Sequence, residues 1–365
     1  MAKVGLGLIG CGVIGAGMHA PAIANLQGAE FVAVCDGVEE RARTVAAQFG
    51  VPRVYTDTAK LFADPRVEAV IVATPHPSHC PLAMQAAAAR KHVIVEKPLS
   101  VDLKQADAAI EAGLKAGIKF GVIFQRRFWP SAQRAKRAVS EGKLGQVILG
   151  DVVVKWWRAK GYYDRDAWRG TWAAEGGGVM VNQAVHAIDM YQWLMGPVDT
   201  IFGMWGNLSH PYIEVEDVAM ATMRFRNGAL GVLSTTVSTN PQLGSKITVT
   251  GENGGTISVL EHPEGRVGVN DIWTVPGDLE EGARVYSEQQ KADEWMFRPQ
   301  GAVGTSPTEH WITYHELQLQ DFVDAIREDR EPAVTAEEGR KTVEIIMAIY
   351  ESGRTGQPIR FPFHG

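Results

Sequence analysis

The chain has 365 residues, of which 45% are hydrophobic and 21% are charged, so it can bury the cores of about two domains. Its net charge of −6 at pH 7 argues against nucleic acid or an anionic membrane surface as the main partner. No apolar run approaches the roughly 18–20 residues that span a bilayer, and residues 1–10 lack the apolar core of a secretory signal. The three cysteines have neither zinc-like spacing nor an even-numbered framework, so we expect a cytoplasmic protein.

The first third of the chain alternates strands with helices. Apolar strand-like runs occupy 4–9, 31–35, 69–73, 92–95 and 119–124, with a weaker run at 53–55. Alanine-rich segments with helical spacing lie between them, at 42–49, 81–89 and 103–116. The pattern predicts an α/β domain with a doubly wound parallel sheet, and the unbroken apolar runs indicate that helices cover both of its faces.

A glycine-rich loop follows the first strand and opens a helix. Its sequence, Gly10-Cys11-Gly12-Val13-Ile14-Gly15, lets the backbone turn tightly and approach a pyrophosphate at the helix N-terminus. Asp36 ends the second strand, where a carboxylate accepts hydrogen bonds from ribose hydroxyls and repels a 2′-phosphate. The loop therefore predicts a dinucleotide site with NAD preferred over NADP. The alternative is a glycine turn used only for packing.

Two later strands end in polar residues. Thr74-Pro75-His76-Pro77-Ser78-His79 follows the fourth strand, and Glu96-Lys97-Pro98 follows the fifth. Ligands of open parallel sheets bind beyond the carboxyl ends of the strands, so both segments are candidates for contact with the cofactor. Taken singly, His76 and His79 are more simply interpreted as loop-surface residues or helix caps. For Lys97 we favour a role in the site, and the alternative is a surface lysine.

The composition changes near residues 124–130, because all three cysteines precede residue 81 and all ten tryptophans follow residue 128. We therefore predict a first domain at 1–124 and a second at 125–365. Strand-like runs in the second domain lie at 198–206, 217–226, 229–238, 245–250, 255–260 and 266–274, with a hairpin turn at Asn227-Gly228 and helices near 310–328 and 336–353. Closely spaced strands indicate an α+β domain with a large, mostly antiparallel sheet, one face of which a second subunit could cover.

Gly176-Gly177-Gly178 precedes a helix predicted to run over 180–195. Asn182, His186 and Asp189 are spaced i, i+4 and i+7, so they share one face of that helix. The three glycines would let a cofactor approach this face closely. The alternative is a buried histidine satisfied by a neighbour, and nothing nearby in the sequence completes a metal site.

Aromatic and charged residues are mixed upstream of the glycine triplet, in 155–158 and 162–169. Aromatic faces with hydrogen-bonding side chains suit a polyol or a sugar ring. The alternative is the edge of a core with a solvated rim.

These motifs together resemble the Gfo/Idh/MocA oxidoreductases over almost the whole chain. The resemblance rests on the glycine loop, Thr74-Pro75, Glu96-Lys97-Pro98, the glycine triplet with Asn182, His186 and Asp189, Asp321-Phe322-x-x-Ala325-Ile326, and Ile349-Tyr350-Glu351-Ser352. It implies reversible hydride transfer between NAD(P) and a secondary alcohol, usually of a sugar, an inositol or a sugar derivative.

The resemblance also implies roles for individual residues. Lys97 would hydrogen-bond the reacting oxygen, His186 would take the hydroxyl proton as general base, and Asn182 would orient the hydroxyl. The expected cofactor contacts are Gly10, Gly12, Val13, Ile14, Asp36, Thr74, Pro75, His76, His79, Glu96, Lys97, Trp168 and Arg169. The expected substrate contacts are Lys97, Arg158, Tyr163, Asn182, His186 and His315.

Asn182 departs from the pattern of many relatives, which carry aspartate four residues before the histidine. An amide cannot act as a base, so proton removal would fall mainly to His186. Asn182-Gln183 resembles sugar-3-dehydrogenase branches, which favours a glycoside or a modified hexose as substrate. We expect an NAD-dependent sugar or polyol dehydrogenase that forms a homodimer or homotetramer through its second sheet. The two alternatives are a glycoside-cleaving enzyme that retains NAD through an oxidation, elimination and reduction cycle, and a non-catalytic NAD or sugar sensor.

Overall fold

The computed structural model describes residues 3–261, 273–275 and 307–365 of the chain. The chain divides into two compact units, one formed by residues 1–125 and 308–343 and the other by residues 126–307 and 344–365. The predicted domains at 1–124 and 125–365 follow the order of the chain and stay a prediction. Each compact unit is formed by two separate segments, so the chain enters each unit twice.

The first unit is built on a sheet of six parallel strands in the order β3-β2-β1-β4-β5-β6. The strands are β1 Val4–Ile9, β2 Ala29–Cys35, β3 Arg53–Tyr55, β4 Ala69–Val72, β5 His92–Val95 and β6 Phe120–Val122. Strands β1 and β4 are buried along their whole length, as expected when helices cover both faces of a sheet. The predicted doubly wound α/β fold is confirmed, with the strand order of a Rossmann domain.

Helices connect these strands. A π-helical turn at Gly15–His19 leads into α1 Ala20–Asn25, and the next helices are α2 Glu39–Phe49, α3 Thr58–Phe62, α4 His79–Ala88 and α5 Leu103–Ala116. The side chain of Asp102 caps the start of α5 by accepting the N–H of Gln105 (2.9 Å). Gly117 ends the same helix in the left-handed conformation, with φ of 68°.

The second unit contains a seven-stranded sheet in the order β12-β11-β7-β10-β9-β8-β13. Its strands are β7 Val147–Lys155, β8 Val198–Gly206, β9 Val218–Phe225, β10 Leu230–Thr236, β11 Gly244–Gly251, β12 Thr256–Glu261 and β13 Ile359–Arg360. Neighbouring strands in this list pair antiparallel except β7 with β10, which confirms the mostly antiparallel sheet. Strands β9 and β10 form the predicted hairpin, closed by the N–H of Gly228 donating to the carbonyl of Phe225 (2.9 Å).

The sequence pattern does not identify β7 or β13. The predicted strand at 266–274 falls mostly outside the described residues, and within them Trp273 forms an isolated bridge with Ile257.

Four helices precede β8 in the second unit: α6 Pro130–Ser140, α7 Lys160–Asp164, α8 Val179–Asn182 and α9 Val185–Met195. Two glycines let α9 lie close to the sheet. A Cβ at Gly150 on β7 would lie 2.7 Å from the Tyr191 ring, and one at Gly231 on β10 would lie 2.1 Å from the Tyr191 hydroxyl oxygen. That hydroxyl donates to the carbonyl of Gly150 (2.8 Å), which fixes α9 on one face of the sheet.

The last two helices are α10 Pro307–Glu328 and α11 Ala336–Thr355. Their position in the sequence places both helices in the predicted second domain at 125–365. However, Leu319, Phe322 and Val323 of α10 lie in the hydrophobic core of the first unit, with side chains from β1 and β4. Helix α10 therefore supplies its side chains, His315 among them, to the first unit.

The face of the second sheet opposite α9 carries exposed apolar side chains. We call it the open sheet face. Its six exposed apolar side chains, between 36% and 62% accessible, are Leu149, Val153, Phe202, Met204, Met220 and Leu230. The strand registers put them on one face, because Met204 pairs with Met220 and Leu149 pairs with Leu230. Among the described residues, no helix has the length and apolar character needed to cross a membrane.

Candidate active site

The glycine loop between β1 and the π-helical turn has the geometry of a dinucleotide-binding loop. Gly10 has φ of +97°, and a Cβ there would lie 2.5 Å from the carbonyl oxygen of Ala73. A Cβ at Gly15 would lie 1.9 Å from the carbonyl oxygen of Gly10. Side chains at these positions would block the turn and the approach of the helix to the strand. At Gly12, by contrast, no described atom lies within 4 Å of an added Cβ, so the backbone is open where a pyrophosphate would approach.

Asp36 ties the end of β2 to this loop. Its Oδ2 accepts the N–H of Cys11 (2.7 Å) and its Oδ1 accepts the N–H of Val38 (2.8 Å). A carboxylate oxygen has two lone-pair directions, so each oxygen keeps acceptor capacity for a ribose hydroxyl. The negative charge held here repels a 2′-phosphate. The two expected apolar contacts of the loop, Val13 and Ile14, are 67% and 44% exposed.

His79 contacts the loop after β4 and the loop after β5. Its imidazole is buried, and its two nitrogens lie 2.7 Å from the carbonyl oxygen of Pro98 and 2.8 Å from that of Thr74. Burial lowers the pKa of His79 in spite of these contacts. The ring therefore links the loops that follow β4 and β5. In the first of these loops Pro75 is exposed and His76 is buried.

Lys97 follows β5 and is half-buried beside the buried Glu96. The Oε2 atom of Glu96 accepts the backbone N–H of Lys97 (3.1 Å), and its Oε1 lies 2.8 Å from Nε2 of His19. His315 brings its Nε2 to 3.8 Å from the same Oε1, while its Nδ1 donates to the carbonyl of Trp311 (2.8 Å). We call His19, Glu96 and His315 the His–Glu–His cluster. The sequence motifs do not identify His19, which the π-helical turn carries to Glu96.

The His–Glu–His cluster keeps a carboxylate charged in a buried place. Burial alone would raise the pKa of Glu96, but the hydrogen bond from His19 and the charges of His19, His315 and Lys97 lower it to about 2. Burial lowers the pKa of His315 to about 4, so this imidazole is neutral at pH 7. The ligand atoms of the cluster lie within 4.8 Å of one another, a spacing that a metal ion could bridge. The hydrogen bond between His19 and Glu96 accounts for the proximity of these two side chains, and His315 lies 3.8 Å from the same carboxylate oxygen.

In the second unit, Asn182 ends α8 within a network of polar side chains. Its Nδ2 donates to Oε1 of Glu175 (2.5 Å) and to the hydroxyl oxygen of Tyr162 (3.0 Å). The same Tyr162 oxygen accepts from Nε2 of Gln183 (3.2 Å) and Nη1 of Arg169 (2.5 Å). Tyr162 belongs to the aromatic and charged segment 162–169, whereas the motifs do not identify Glu175. The one sequence signal for Glu175 is its position directly before the glycine triplet.

The helix predicted over 180–195 is interrupted, so the prediction that Asn182 and His186 share one helix face is wrong. Helix α8 ends at Asn182 and α9 begins three residues later. Between them, the N–H of Ala184 donates to the carbonyl of Val179 (2.8 Å), five residues back instead of four. Asn182 therefore closes one helix and His186 opens the next.

His186 is 6% exposed at the start of α9. Asp189, about one turn further on, forms a bidentate ion pair with Arg127, with Nε to Oδ2 at 2.7 Å and Nη2 to Oδ1 at 2.6 Å. Both partners are buried. Asp189 thus fixes the position of α9, and His186 with it.

The glycine triplet packs tightly within its own unit. A Cβ at Gly177 would lie 2.1 Å from the hydroxyl oxygen of Tyr350, and one at Gly178 would lie 1.8 Å from the carbonyl oxygen of Glu216. The Glu216 carboxylate accepts the N–H groups of Gly178 (2.7 Å) and Met180 (3.0 Å) at the start of α8. Burial raises the pKa of Glu216 to about 7, in spite of these hydrogen bonds. Packing accounts for these two glycines, and the approach of a cofactor to this face stays a prediction.

The remaining predicted residues of the second unit lie near Tyr162. The guanidinium of Arg169 stacks on Trp168, 4.4 Å from the ring centroid, and that of Arg158 lies 5.2 Å from the ring centroid of Tyr162. Tyr163 is buried in a small hydrophobic cluster. The aromatic and cationic side chains thus form a polar, hydrogen-bonding surface with Asn182 at its edge.

The predicted residues therefore fall into two groups, one in each unit. In the first unit, the glycine loop, Asp36, Thr74 and Lys97 lie at the carboxyl edge of a Rossmann sheet. In the second, polar side chains gather around Tyr162 and His186 opens α9. A Rossmann unit with an open glycine loop, followed by a mostly antiparallel α+β unit, defines a dinucleotide-dependent oxidoreductase.

Family models match both units. Residues 4–124 match the model described as oxidoreductase family, NAD-binding Rossmann fold, and residues 132–257 match the GFO/IDH/MocA C-terminal domain. The chain belongs to the Gfo/Idh/MocA family of oxidoreductases, which confirms the resemblance carried by its motifs. The cofactor is NAD, as Asp36 predicts.

Similar proteins are named as dehydrogenases. The chain is 26% identical to scyllo-inositol 2-dehydrogenase (NAD(+)) of Bacillus subtilis strain 168, over 96% of this chain and 95% of that protein. It is 31% identical to myo-inositol 2-dehydrogenase of Thermotoga maritima, over 62% of this chain and 67% of that protein. The crystal structure of the WlbA dehydrogenase from Bordetella pertussis in complex with NADH and UDP-GlcNAcA is 30% identical, covers 99% of both chains and gives a TM-score of 0.82. This chain is an NAD-dependent dehydrogenase of the same family.

Proposed function

We propose that the protein transfers hydride reversibly between a secondary hydroxyl of a sugar, glycoside or polyol and NAD. The observation that carries the proposal is the half-buried Lys97 at the carboxyl end of β5, next to the charged Glu96 that accepts its backbone N–H (3.1 Å). In an open parallel sheet this end faces the ligand. The inositol dehydrogenases similar to this chain support a polyhydroxylated substrate.

His186 acts as the general base and Lys97 polarises the substrate oxygen. A carbinol carbon releases hydride only as its hydroxyl proton leaves, and a neutral imidazole accepts that proton near pH 7. The ammonium group of Lys97 stabilises the negative charge that develops on the oxygen. Oxidation of the alcohol releases a hydride and a proton. Bound NAD would accept the hydride, and His186 accepts the proton. Asn182 orients the substrate, because an amide cannot be the base.

We assign substrate binding to Arg158, Tyr163 and His315 beside the catalytic residues, and cofactor contacts in the second unit to Trp168 and Arg169. The aromatic ring of Tyr162, with the guanidinium of Arg169 at 4.5 Å from its centroid, suits the faces and hydroxyls of a sugar ring. The UDP-GlcNAcA bound by the related structure supports a modified hexose.

Two alanine variants test the mechanism. Lys97→Ala and His186→Ala should each lower turnover by about 10²–10⁴-fold, the usual loss for a missing acid–base or electrostatic group, and leave NADH binding nearly unchanged. The matched control is Lys91→Ala before β5, where Nζ donates to the carbonyl of Asp64 (3.3 Å), and it should retain turnover. Near-normal turnover in either test variant would remove that residue from the mechanism.

The assay also separates the alternative functions. Sugars, inositols and glycosides are followed by NADH absorbance, with NMR to identify the product. Cleavage of a glycoside without net NADH would favour an oxidation, elimination and reduction cycle on retained NAD. Dinucleotide binding without turnover of any compound would favour a sensor.

We further propose that a second copy of the chain covers the open sheet face, giving a homodimer or homotetramer. Six exposed apolar side chains lie together on one face of the sheet, and an exposed apolar patch of this kind marks a protein–protein contact surface. Met204→Lys with Met220→Lys puts two like charges opposite each other on adjacent strands and should reduce the mass measured by light scattering.

We also propose a cytoplasmic location, which suits the three free, buried cysteines.

A further inference from the structure

We propose that His19 is a positioning residue for the reaction, because it fixes the Glu96 carboxylate that holds the backbone of Lys97 at the end of β5. The inference rests on the proposed dehydrogenase function and names a residue behind the lysine that polarises the substrate oxygen. The side chain of His19 is completely buried, so it can influence a substrate only through its neighbours. His19, Glu96 and Lys97 all belong to the first unit.

The π-helical turn carries His19 from the glycine loop to Glu96. The turn starts at Gly15, which packs directly on the loop, since a Cβ there would lie 1.9 Å from the carbonyl oxygen of Gly10. The N–H of Ala20 donates to the carbonyl of Gly15, five residues back instead of four, so the turn is wider than one of an α-helix. His19 therefore extends from a segment whose start is fixed against the loop.

The hydrogen bond between His19 and Glu96 has a defined direction. Nε2 of His19 lies 2.8 Å from Oε1 of Glu96, which is ionised, and a carboxylate oxygen can only accept, so Nε2 donates. In the described part of the chain Nδ1 of His19 has no hydrogen-bond partner, so the ring makes its one hydrogen bond to this carboxylate. The ring of His315 packs edge to face against that of His19, with centroids 5.1 Å apart. A hydrogen bond to an ionised group is roughly twice as strong as one between neutral groups, so His19 fixes the carboxylate firmly.

Glu96 passes this constraint on to Lys97. Its Oε2 accepts the backbone N–H of Lys97 (3.1 Å), while its own N–H donates to the carbonyl of Val72 at the end of β4 (2.8 Å). Rotation of the carboxylate would break the bonds of both its oxygens at once. The backbone of residue 97 is therefore held where β5 ends, and the lysine side chain starts from a fixed point. A displacement of about 1 Å in a catalytic site can cost about 10²-fold in rate, so this support matters for turnover.

Two substitutions of His19 test the proposal. His19→Phe keeps a buried ring and removes the N–H, whereas His19→Gln keeps an N–H that can donate to the same carboxylate oxygen. His19→Phe should lower kcat about tenfold or more, with KM and the NADH dissociation constant within about threefold of wild type. His19→Gln should recover kcat to within about threefold of wild type. The matched control is His92→Phe at the other end of β5, where Nδ1 accepts the N–H of Lys119 (2.9 Å), and it should leave kcat unchanged.

A double-mutant cycle separates positioning from general damage. If His19 acts through Lys97, His19→Phe should change kcat by less than about twofold when Lys97→Ala is already present, because the group that it positions is gone. Losses that multiply in the double variant would overturn the proposal. So would a kcat of His19→Gln as low as that of His19→Phe. If His19→Phe does not fold, His19→Asn, whose amide is one bond shorter than that of glutamine, takes its place.

A second measurement needs no turnover. Reductive methylation followed by mass spectrometry reports how freely each lysine Nζ reacts. Lys97 should be labelled at least about threefold faster in His19→Phe than in wild type, and at the wild-type rate in His19→Gln, because a loosened strand end exposes its side chain more often. Lys91, before the same strand, is the internal reference. An unchanged rate at Lys97, or an equal increase at Lys91, would overturn the proposal. Selective labelling of Lys97 without turnover of any sugar or polyol would count against the proposed function and leave the role of His19 supported.

Discussion

Two buried carboxylates, Glu96 in the first unit and Glu216 in the second, have opposite electrostatics. The pKa of Glu96 is lowered to about 2 and that of Glu216 is raised to about 7. Burial favours the neutral form of both, so the difference comes from their neighbours. Glu96 lies among two imidazoles and Lys97, whereas Glu216 accepts two backbone N–H groups and lies beside the hydroxyl of Tyr350.

The difference in pKa gives the two carboxylates different roles: Glu96 provides a negative charge beside Lys97, and Glu216 supports the backbone. The Glu96 carboxylate, which contacts His19 (2.8 Å) and the backbone N–H of Lys97 (3.1 Å), stays ionised, and in the proposed mechanism it would hold Lys97 next to the reacting oxygen. A carboxylate surrounded by neutral donors lies close to neutrality and serves to fix the start of α8, the helix that ends at Asn182. The first unit thus positions a charge, and the second positions an amide and an imidazole.

The largest expected effect is the loss of the charged carboxylate. Glu96→Gln leaves Lys97 and two imidazoles without their carboxylate and should lower the free energy of unfolding by about 3–5 kcal/mol at pH 7. Glu216→Gln should cost about 1–3 kcal/mol, because its amide keeps one of the two backbone hydrogen bonds. Urea denaturation of both variants measures the two costs. Equal costs would mean that Lys97 and the two imidazoles beside Glu96 contribute little.

The two units should also respond to pH with opposite signs. Folded Glu216 has a pKa of about 7 against an ordinary value of 4.5, so its contribution to stability is complete below pH 4.5 and is lost as the pH rises through 7. Folded His315 has a pKa of about 4 against 6.5, so its contribution is present above pH 6.5 and is lost as the pH falls through 4. Either difference corresponds to about 3 kcal/mol.

Stability measured from pH 4 to 8 checks these signs. Compared with wild type, Glu216→Gln should become less destabilising as the pH rises, and His315→Gln should become more destabilising. Differences that stay constant across this range would show that neither group changes its proton affinity on folding.

The parallel sheet of the first unit and its glycine loop could be predicted almost entirely from the sequence, because most of the strands are unbroken apolar runs and the loop needs special residues at fixed spacing. The contribution of α10 to this unit could not. Strand β7 escapes prediction because Gly150 and Asp151 interrupt its apolar run, and glycine is required there by a tyrosine 41 residues away. The residues of the site show the same dependence on local sequence. Lys97 could be predicted because it directly follows a strand. His19 contacts Glu96, 77 residues away in the chain, so no local pattern identifies it.

The interruption of the helix over 180–195 is a further case of tertiary contacts overriding a local pattern. The side chains of Asn182 and Gln183 both donate to Tyr162, 20 and 21 residues earlier in the chain. Apolar periodicity continues through this point, so the sequence alone predicts one helix where the structure has two.

The smallest expected stability effect distinguishes the glycines of the two motifs. In Gly178→Ala the added methyl group meets the carbonyl oxygen of Glu216 at 1.8 Å, so the backbone must move, at a cost of about 1–3 kcal/mol. In Gly12→Ala no described atom lies within 4 Å of the methyl group, so the free energy of unfolding should change by less than about 0.5 kcal/mol. The NADH dissociation constant of Gly12→Ala should nevertheless rise about tenfold, because the methyl group occupies the path of the pyrophosphate.

Urea denaturation and NADH fluorescence titration of both variants measure these effects. Normal NADH binding by Gly12→Ala would mean that the loop is open for a reason other than the cofactor. Wild-type stability of Gly178→Ala would mean that the backbone of Glu216 does not hold the start of α8 firmly. If both expectations hold, Gly12 is kept small for a ligand and Gly178 for the close approach of the Glu216 backbone. The two glycines then differ as Glu96 and Glu216 do, one serving the chemistry and the other the fold.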